Sequence, residues 1–467
     1  MFDLCENALG HLKGVDYADV RVESYDNTMI TVMDGQVQKC LRYYKKGAAI
    51  RVLTKGAWGF QSTTDLTDKG LKRAADAAVS MANAESIRLK EPVEIAPIKV
   101  CEDEVIPYVK IDFREMAIDD LIGLCLQWNK AIKVNEGVAR AITKYGTINA
   151  DKYFASSEGA RIRFVKPVPF LGLTAFGKGS GGVQSYSDDV GGTGGHEIFA
   201  GGDPIPVCEK VGLEAVALAE ARTAPQMRDT HVIFDPDFMS LLTHEIVGHP
   251  SEGDRVAGRE AAWAGTAWWK GMEGETVGSE YFTAYDDPTV EGTYGHYLYD
   301  DEGTPARRKV LVEKGVIKER MHSRETAAMF GVEPNSGMRA NTYEYYPIIR
   351  MSNSFWGTGD WKPEEIIEDT KEGILLVGAR SPSIDDARYQ WAISSQQGWL
   401  VKNGELAERV KNCLVTATSP VFFKSIDALA DDTRMGTADC GKGDPLQLAA
   451  VGNGGPHMRG VATILGG

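Results

Sequence analysis

Basic residues are in short supply: 51 Lys and Arg stand against 66 Asp and Glu, a formal net charge of −15. An acidic surface argues against nucleic acid as a direct partner, because phosphate binding needs a basic face. It argues equally against anionic membrane surfaces. No apolar run reaches the length of a membrane-spanning helix, so no membrane partner is expected. The first residues, Met1 to Glu6, lack the basic start and apolar core of a signal peptide. Cysteine is sparse, with seven at positions 5, 40, 101, 125, 208, 413 and 440 and no Cys-x-x-Cys pair. An odd, dispersed set excludes a disulfide framework and fits reduced thiols in a cytoplasm. Histidine is scarce too, with eight in 467 residues, so two close together carry information.

What is present is globular in kind: 43% hydrophobic and 25% charged residues. The length calls for two or three domains. Residues 3–13 read as a short helix. Tyr17–Ser24, Asn27–Met33 and Leu41–Leu53 read as strands, with Asp34-Gly35 as a hairpin turn. Residues 65–84 have helical spacing and 85–110 read as a linker. A helix at 112–131, strand-like runs at 137–148, 152–156 and 159–175, and a helix at 207–222 make a second sheet-plus-helix unit. The glycine-rich stretch Gly177–Gly202 lacks the helix opening that a phosphate-binding loop requires, and reads as a mobile surface loop.

From residue 229 the pattern changes to one helix at 236–249 and many short strands: 308–319, 342–351, 372–378, 389–394, 397–402 and 407–417. Asn403-Gly404 is a second hairpin signal. The expected fold is therefore α+β. Residues 1–222 form an N-terminal α/β domain of two sheet-plus-helix units, with possible sub-units 1–100 and 101–222. Residues 223–467 form a mostly antiparallel β domain that carries a metal-binding helix.

The chemistry concentrates in Asp235–Pro250. Asp235 suits an N-cap and Pro236 the first helical position. The helix carries His244-Glu245-Ile246-Val247-Gly248-His249 and cannot run far past Pro250. Histidines four residues apart lie about 40° apart around a regular helix; five apart, the angle is about 140°. One metal ion cannot then take both unless the helix is distorted. Gly248 and Pro250 allow either a one-residue π-bulge or a glycine-assisted end to swing His249 back. Two histidines on a helix are often no more than core or surface residues, but the caps and the break beside them favour a metal. Zinc then needs a third protein ligand, with one position left for water. Cys440, His457, Cys413, His296, Glu252 and Asp254 are all open as that ligand, and iron or cobalt also suits a His/His/Cys set. With a metal in place, a metal-activated water is the nucleophile and Glu245 the general base.

These residues resemble the TldD/PmbA family, specifically its TldD-like branch. The resemblance covers nearly the whole chain. Beyond His244–His249 and Ser251-Glu252-Gly253-Asp254 it rests on Tyr17–Glu23, Asp34–Val37, Gly47–Leu53, Gly56–Thr63, Asp300–Pro305, Val310–Val316 and Arg350–Asn353. It implies a zinc metallopeptidase in which Cys440, in its Cys-Gly-Lys context, is the third ligand. It further implies cleavage of short or unfolded peptides, bound as an added β-strand. The protein would act inside a closed dimer, either a homodimer or a heterodimer with a PmbA-like subunit. Arg350–Asn353 and Asp300–Glu302 read equally as substrate or supporting contacts, with Arg350, Asn353 and Asp301 as the candidates, and as a salt-bridged strand and a turn. Family members have also been described as modulators of DNA gyrase. The alternative function is therefore a regulatory subunit that binds metal without turnover.

Overall fold

The structure is a computed structural model that describes residues 1–200, 203–260 and 265–466. Its first half is built on one twisted sheet. The strands are β1 (Tyr17–Met33), β2 (Gln36–Thr54), β3 (Ala57–Thr63), β4 (Glu102–Val105), β5 (Val138–Ser156), β6 (Arg161–Gly179) and β7 (Gly182–Gly191). Their order is β3-β2-β1-β5-β6-β4, with β7 following β4 along the same edge of β6. The β1–β2 turn is Asp34-Gly35, with φ values of 49° and 75°. Two successive positive φ values match the right-handed twist of the flanking strands. The two sheet-plus-helix units share this sheet through antiparallel pairing of β1 with β5.

Helices lie against one face. Phe2–Gly10 and Asp68–Ser86 bury Cys5, Ala8, Leu71, Ala75 and Ala78 against Val20, Val22, Ile50 and Val52. Ile118–Ile132 and Ile205–Glu220 bury Leu121, Cys125, Trp128, Val211 and Leu218 against Tyr145, Leu171 and Leu173.

Several boundaries differ from the sequence reading. The runs at 17–24 and 27–33 are one strand, as are 137–148 and 152–156. The stretch taken as a linker contains β4, which pairs in parallel with β6. The glycine-rich stretch is not a mobile loop. Gly182–Gly191 pairs along β6 and buries Tyr186, because its Val, Tyr and Ser residues satisfy a strand despite their glycine neighbours. Gly201 and Gly202, also in that stretch, lie outside the described residues.

The second half centres on a closed barrel. Going round it are Glu372–Ile384, Met227–Phe234, Met458–Leu465, Leu414–Thr418 and Gln390–Lys402, and the last pairs back to the first. Only Glu372–Ile384 and Met227–Phe234 run parallel. The Asn403-Gly404 turn joins two antiparallel neighbours as expected. Three seven-residue helices, Arg324–Phe330, Pro363–Asp369 and Ser419–Ser425, carry too short a periodicity to stand out in sequence. The barrel interior holds Val232, Phe234, Ile374, Leu376, Trp391, Ile393, Val415 and Phe422.

Ion pairs, buried except on the Glu158 side, join the halves. Arg51 reaches Asp19 at 2.6 Å and Glu302 at 2.9 Å; Arg324 reaches Glu158 at 2.8 Å; Lys152 reaches Asp301 at 3.2 Å. Among the described residues, no helix is long and apolar enough to cross a membrane.

Candidate metal centre

The strand Met227–Phe234 leaves the barrel directly into the helix Pro236–Thr243. Asp235 caps it: its Oδ1 accepts from the Phe238 N–H at 2.7 Å and from the Gly378 N–H at 2.9 Å. The second bond ties the helix start to the barrel. Phe238, Met239, Leu242, Ile246 and Val247 pack into the barrel core.

At His244 the winding changes. Residues His244–Gly248 form a π-helical turn, in which the His249 N–H donates to the His244 carbonyl, and His249–Ser251 continue as a 3-10 turn. This is the first of the two distortions that the spacing demanded. Added winding brings the two imidazoles onto one side, with ring centroids 4.7 Å apart. Gly248 is required by close approach: a Cβ there would stand 1.9 Å from the sulfur of the buried Met351. Ser251 Oγ then donates to the Val247 carbonyl at 2.7 Å, and Trp269 Nε1 to the Pro250 carbonyl at 2.6 Å, which holds the exit of the turn.

Cys440 comes from the hairpin of Ala438–Lys442 with Gln447–Val451. Donor atoms of His244, His249 and Cys440 all lie within 4.8 Å of one another, and all three residues are buried. Two imidazoles and a thiol at this separation are a donor set suited to a borderline-soft divalent metal. The set also leaves a face open, because all three residues border a groove of about 1080 Å³.

The surroundings orient each donor. The His249 Nδ1–H donates to Glu252 Oε2 at 3.0 Å, so Nε2 keeps its lone pair on the side of Cys440. Glu252 is buried, which by itself would raise its pKa. Lys442, His249 and Arg255 overcome that and hold the carboxyl well below its usual range. His244 Nδ1 meets the side-chain amide of Asn453 at 2.8 Å. There the amide nitrogen faces the ring, so Nδ1 accepts from it; a half-turn of the amide would put its oxygen there, with Nδ1–H donating and the His244 Nε2 free as well. Burial pushes the His244 ring down, towards the neutral form that a ligand needs. Burial opposes ionisation of Cys440, but His249 and Arg350 outweigh it and draw the thiol down to about 7.

Glu245 lines the same groove, one residue along from His244. Burial works against its charge, and His244, His249, Arg388 and Arg255 more than offset that, leaving the carboxyl below its usual range. Arg388 Nη1 lies 3.7 Å from Glu245 Oε2. Its residue sits in the left-handed region at φ 61°, at the end of a loop packed over the groove. Lys442 and Asn453 were not among the sequence candidates. Their signal, a lysine two residues after Cys440 and an asparagine between glycines, acquires meaning only once the chain is folded.

The other candidates lie elsewhere. His457 pairs with Asp432 at 2.7 Å, His296 with the Pro288 carbonyl at 2.9 Å, and Cys413 is in the barrel core. Asp254 pairs with Lys442 at 2.7 Å. Arg350 is fully buried and donates to the carbonyls of Gln447 and Cys440, so it braces the cysteine hairpin. Asn353 bridges the Gly295 N–H and the Asp287 carbonyl. Asp301 pairs with Lys152 and Arg21 at the junction of the halves.

Comparison with known proteins covers almost the whole chain. Residues 18–82, 111–223 and 227–463 match, in order, domain 1, the central domain and the C-terminal domain of the PmbA/TldA metallopeptidases. A Methanocaldococcus jannaschii protein named as a metalloprotease is 30% identical over 96% of this chain and 97% of its own length. A metalloprotease of Methanothermobacter thermautotrophicus is 31% identical over 97% and 96%. A Saccharolobus solfataricus protein named as a zinc metalloprotease TldD homolog is 25% identical over 97% of each chain. Among solved structures, a Thermotoga maritima protein described as a candidate modulator of a DNA gyrase superposes with a TM-score of 0.82 at 18% identity over the full length of both chains. TldE from Thermococcus kodakarensis gives 0.78 at 17% identity, also over the full length of both chains. At those identities the structural likeness speaks for the fold alone.

Proposed function

Because the chain belongs to the PmbA/TldD family of metallopeptidases, we propose that it is a zinc-dependent peptidase acting on short or unfolded peptides. His244, His249 and Cys440 would hold the metal, and Glu245 is the general base. The observation that carries this is the convergence of three buried donors within 4.8 Å on the wall of a groove that also presents a carboxylate. The name of the Saccharolobus relative supports zinc as the metal.

When bound, the metal supplies a Lewis acid that polarises the scissile carbonyl and eases deprotonation of water. Glu245 takes that proton and passes it to the departing amine. Arg388 holds the Glu245 carboxylate towards the groove through charge attraction at 3.7 Å. Glu252 keeps the His249 imidazole in the tautomer that offers Nε2, and a half-turn of the Asn453 amide would do the same for His244. The peptide lies extended. Two strands that border the groove, β7 and Ala438–Lys442, each pair with a single strand among the described residues; on β7 the Gln396 amide bonds the Ser187 backbone and Arg380 the Ser185 carbonyl, and the rest of that edge is open to a peptide. A free strand edge binds main chain with little regard for side chains.

We assign residues 1–222 to an N-terminal domain that frames the groove and 223–467 to the domain that holds the metal. The partner would be a second copy or a PmbA-like subunit. Seven unpaired cysteines suit the cytoplasm.

The competing reading is a regulatory subunit that binds metal without turnover. Glu245→Gln separates the two. Metal content should stay at the wild-type level by elemental analysis, while cleavage of an unfolded casein fragment, followed by mass spectrometry, falls at least about 100-fold. Cleavage that survives the substitution removes Glu245 from its role, and wild-type protein that retains metal but never cleaves leaves the regulatory reading.

A further inference from the structure

A second cavity, of about 310 Å³, lies where the first sheet meets the second half. The cysteine hairpin separates it from the metal centre. Asp439 borders both spaces, while Leu448, Ala449 and Ala450 on the returning strand wall only the second. Four cations reach it: Lys45, Lys152, Lys166 and Arg339.

Two of these are already matched. Lys45 pairs with Glu344 at 2.8 Å, and Lys152 with Asp301 at 3.2 Å. The other two are not. Lys166 Nζ donates only to the Tyr294 carbonyl, at 3.1 Å. Arg339 donates to the carbonyls of Met351 and Ala450, both at 2.6 Å, and its guanidinium lies 5.2 Å from the Tyr297 ring centre. Among the described residues no carboxylate forms an ion pair with either. Asp300, which also borders the cavity, accepts from the N–H groups of Glu302, Thr304 and Met338, and burial with Glu302 pushes it up to about 8, so it adds no counter-charge near neutral pH. Asp301, already shared by Lys152 and Arg21, and Asp439 are the cavity-bordering carboxylates whose charge reaches the two cations; with Glu23 matching Arg21, the group keeps an excess of one positive charge. Both cations are partly buried; burial lowers the pKa of each, aided at Lys166 by Arg339 and Lys152 and at Arg339 by Arg350. Withdrawing cations from water without a counter-charge costs several kcal/mol in general, and a monoanion would offset it. Tyr43, Ile148, Phe164 and Leu448 supply an apolar and aromatic part of the wall, beside Asn27, Asn341 and Thr342.

We propose that this cavity binds the C-terminal residue of a short peptide, its carboxylate between Lys166 and Arg339 and an apolar side chain against Phe164 and Leu448. A carboxylate matches the single excess charge, whereas a phosphate dianion would leave a charge unmatched beside Asp439. The volume admits about one or two residues, at the low end of small-molecule sites. The choice of a peptide as the ligand rests on the peptidase reading; the cavity and its unmatched cations do not.

The test is calorimetric titration of the full-length protein with N-acetyl-L-phenylalanine. Saturable binding is expected, weakened at least tenfold in Lys166→Met and undetectable for N-acetyl-L-phenylalaninamide, which lacks the carboxylate. If Lys166→Met does not fold, Leu448→Asp, on the exposed rim, should weaken binding similarly by placing a like charge beside the ligand. Equal binding of acid and amide, displacement of the acid by equimolar inorganic phosphate, or binding that persists in Lys166→Met and disappears in His249→Ala would each overturn the proposal. Tight binding by a protein with no peptidase activity would sink the peptidase reading and leave the cavity assignment standing. Cleavage without such binding would do the reverse.

Discussion

The sulfur of Cys440 lies 3.7 Å from Nε2 of His249, across 191 residues of chain. Nothing local joins them; the hairpin that carries the cysteine is held over the π-turn by Arg350 and Lys442. A ligand that binds the folded cluster and not the unfolded chain stabilises by mass action, by about 4 kcal/mol at a thousand times its dissociation constant. Adding zinc to chelator-stripped protein should therefore raise the melting temperature. The rise should vanish in His249→Ala and shrink in Cys440→Ser. An equal rise in all three proteins would show that zinc acts elsewhere.

Glu252 holds the Nδ1 side of His249 and also receives Arg255 at 2.8 Å and Lys442 at 3.1 Å. Glu252→Gln removes the charge and leaves Lys442 with Asp254 alone and Arg255 with only the more distant Glu260, at 3.7 Å. Loss of about 3–5 kcal/mol in stability is expected, the range for breaking a buried pair. Metal affinity should fall about 10–100-fold, as for other groups that orient metal-binding histidines. Denaturation curves and competitive metal titration read the two effects separately. Unchanged metal affinity would mean that the His249 ring is held by packing alone.

Gly248 faces the Met351 sulfur with no room for a methyl group. Gly248→Ala should destabilise by about 1–3 kcal/mol, the usual range for overpacking, and should weaken metal binding by displacing His249. Adding Met351→Ala makes space and should recover part of both losses. If the double variant is no better than the sum of the single ones, the contact is not the reason for glycine.

His322 gives the fold a pH dependence. It is buried, with its Nδ1 3.1 Å from Thr326 Oγ1; burial first, and Arg320 second, push its pKa down to about 4. The unfolded ring titrates near about 6.5. Between those values the unfolded chain binds more protons than the folded one, so stability falls as the pH drops from about 6.5 to 4 and this contribution levels off below. The slope reaches about 1.4 kcal/mol per pH unit at most. Thermal melts of wild type and His322→Gln at pH 7.5 and pH 5 should show a smaller drop in the variant. The same drop in both would assign the acid sensitivity to other groups.

Local grammar in the chain determined much of this protein. Alternation wrote β1 and β2 into the sequence, and Asp34-Gly35 set the turn between them. Asp235 and Pro236 marked the helix start, and five-residue spacing of His244 and His249 required a distorted turn. These features concern residues within a few positions of each other, where backbone sterics and periodicity act directly. Tertiary structure alone decided that β1 pairs with β5, that Gly182–Gly191 becomes a strand, and that Cys440 rather than Cys413 or His457 meets the two imidazoles. It also decided that Asn453 and Glu252 face opposite rings, and that Lys166 and Arg339 share one cavity. Those meetings depend on closure of the barrel and on docking of the halves, where partners far apart in the chain are chosen by the packing of whole elements and leave no periodic trace in the sequence around them.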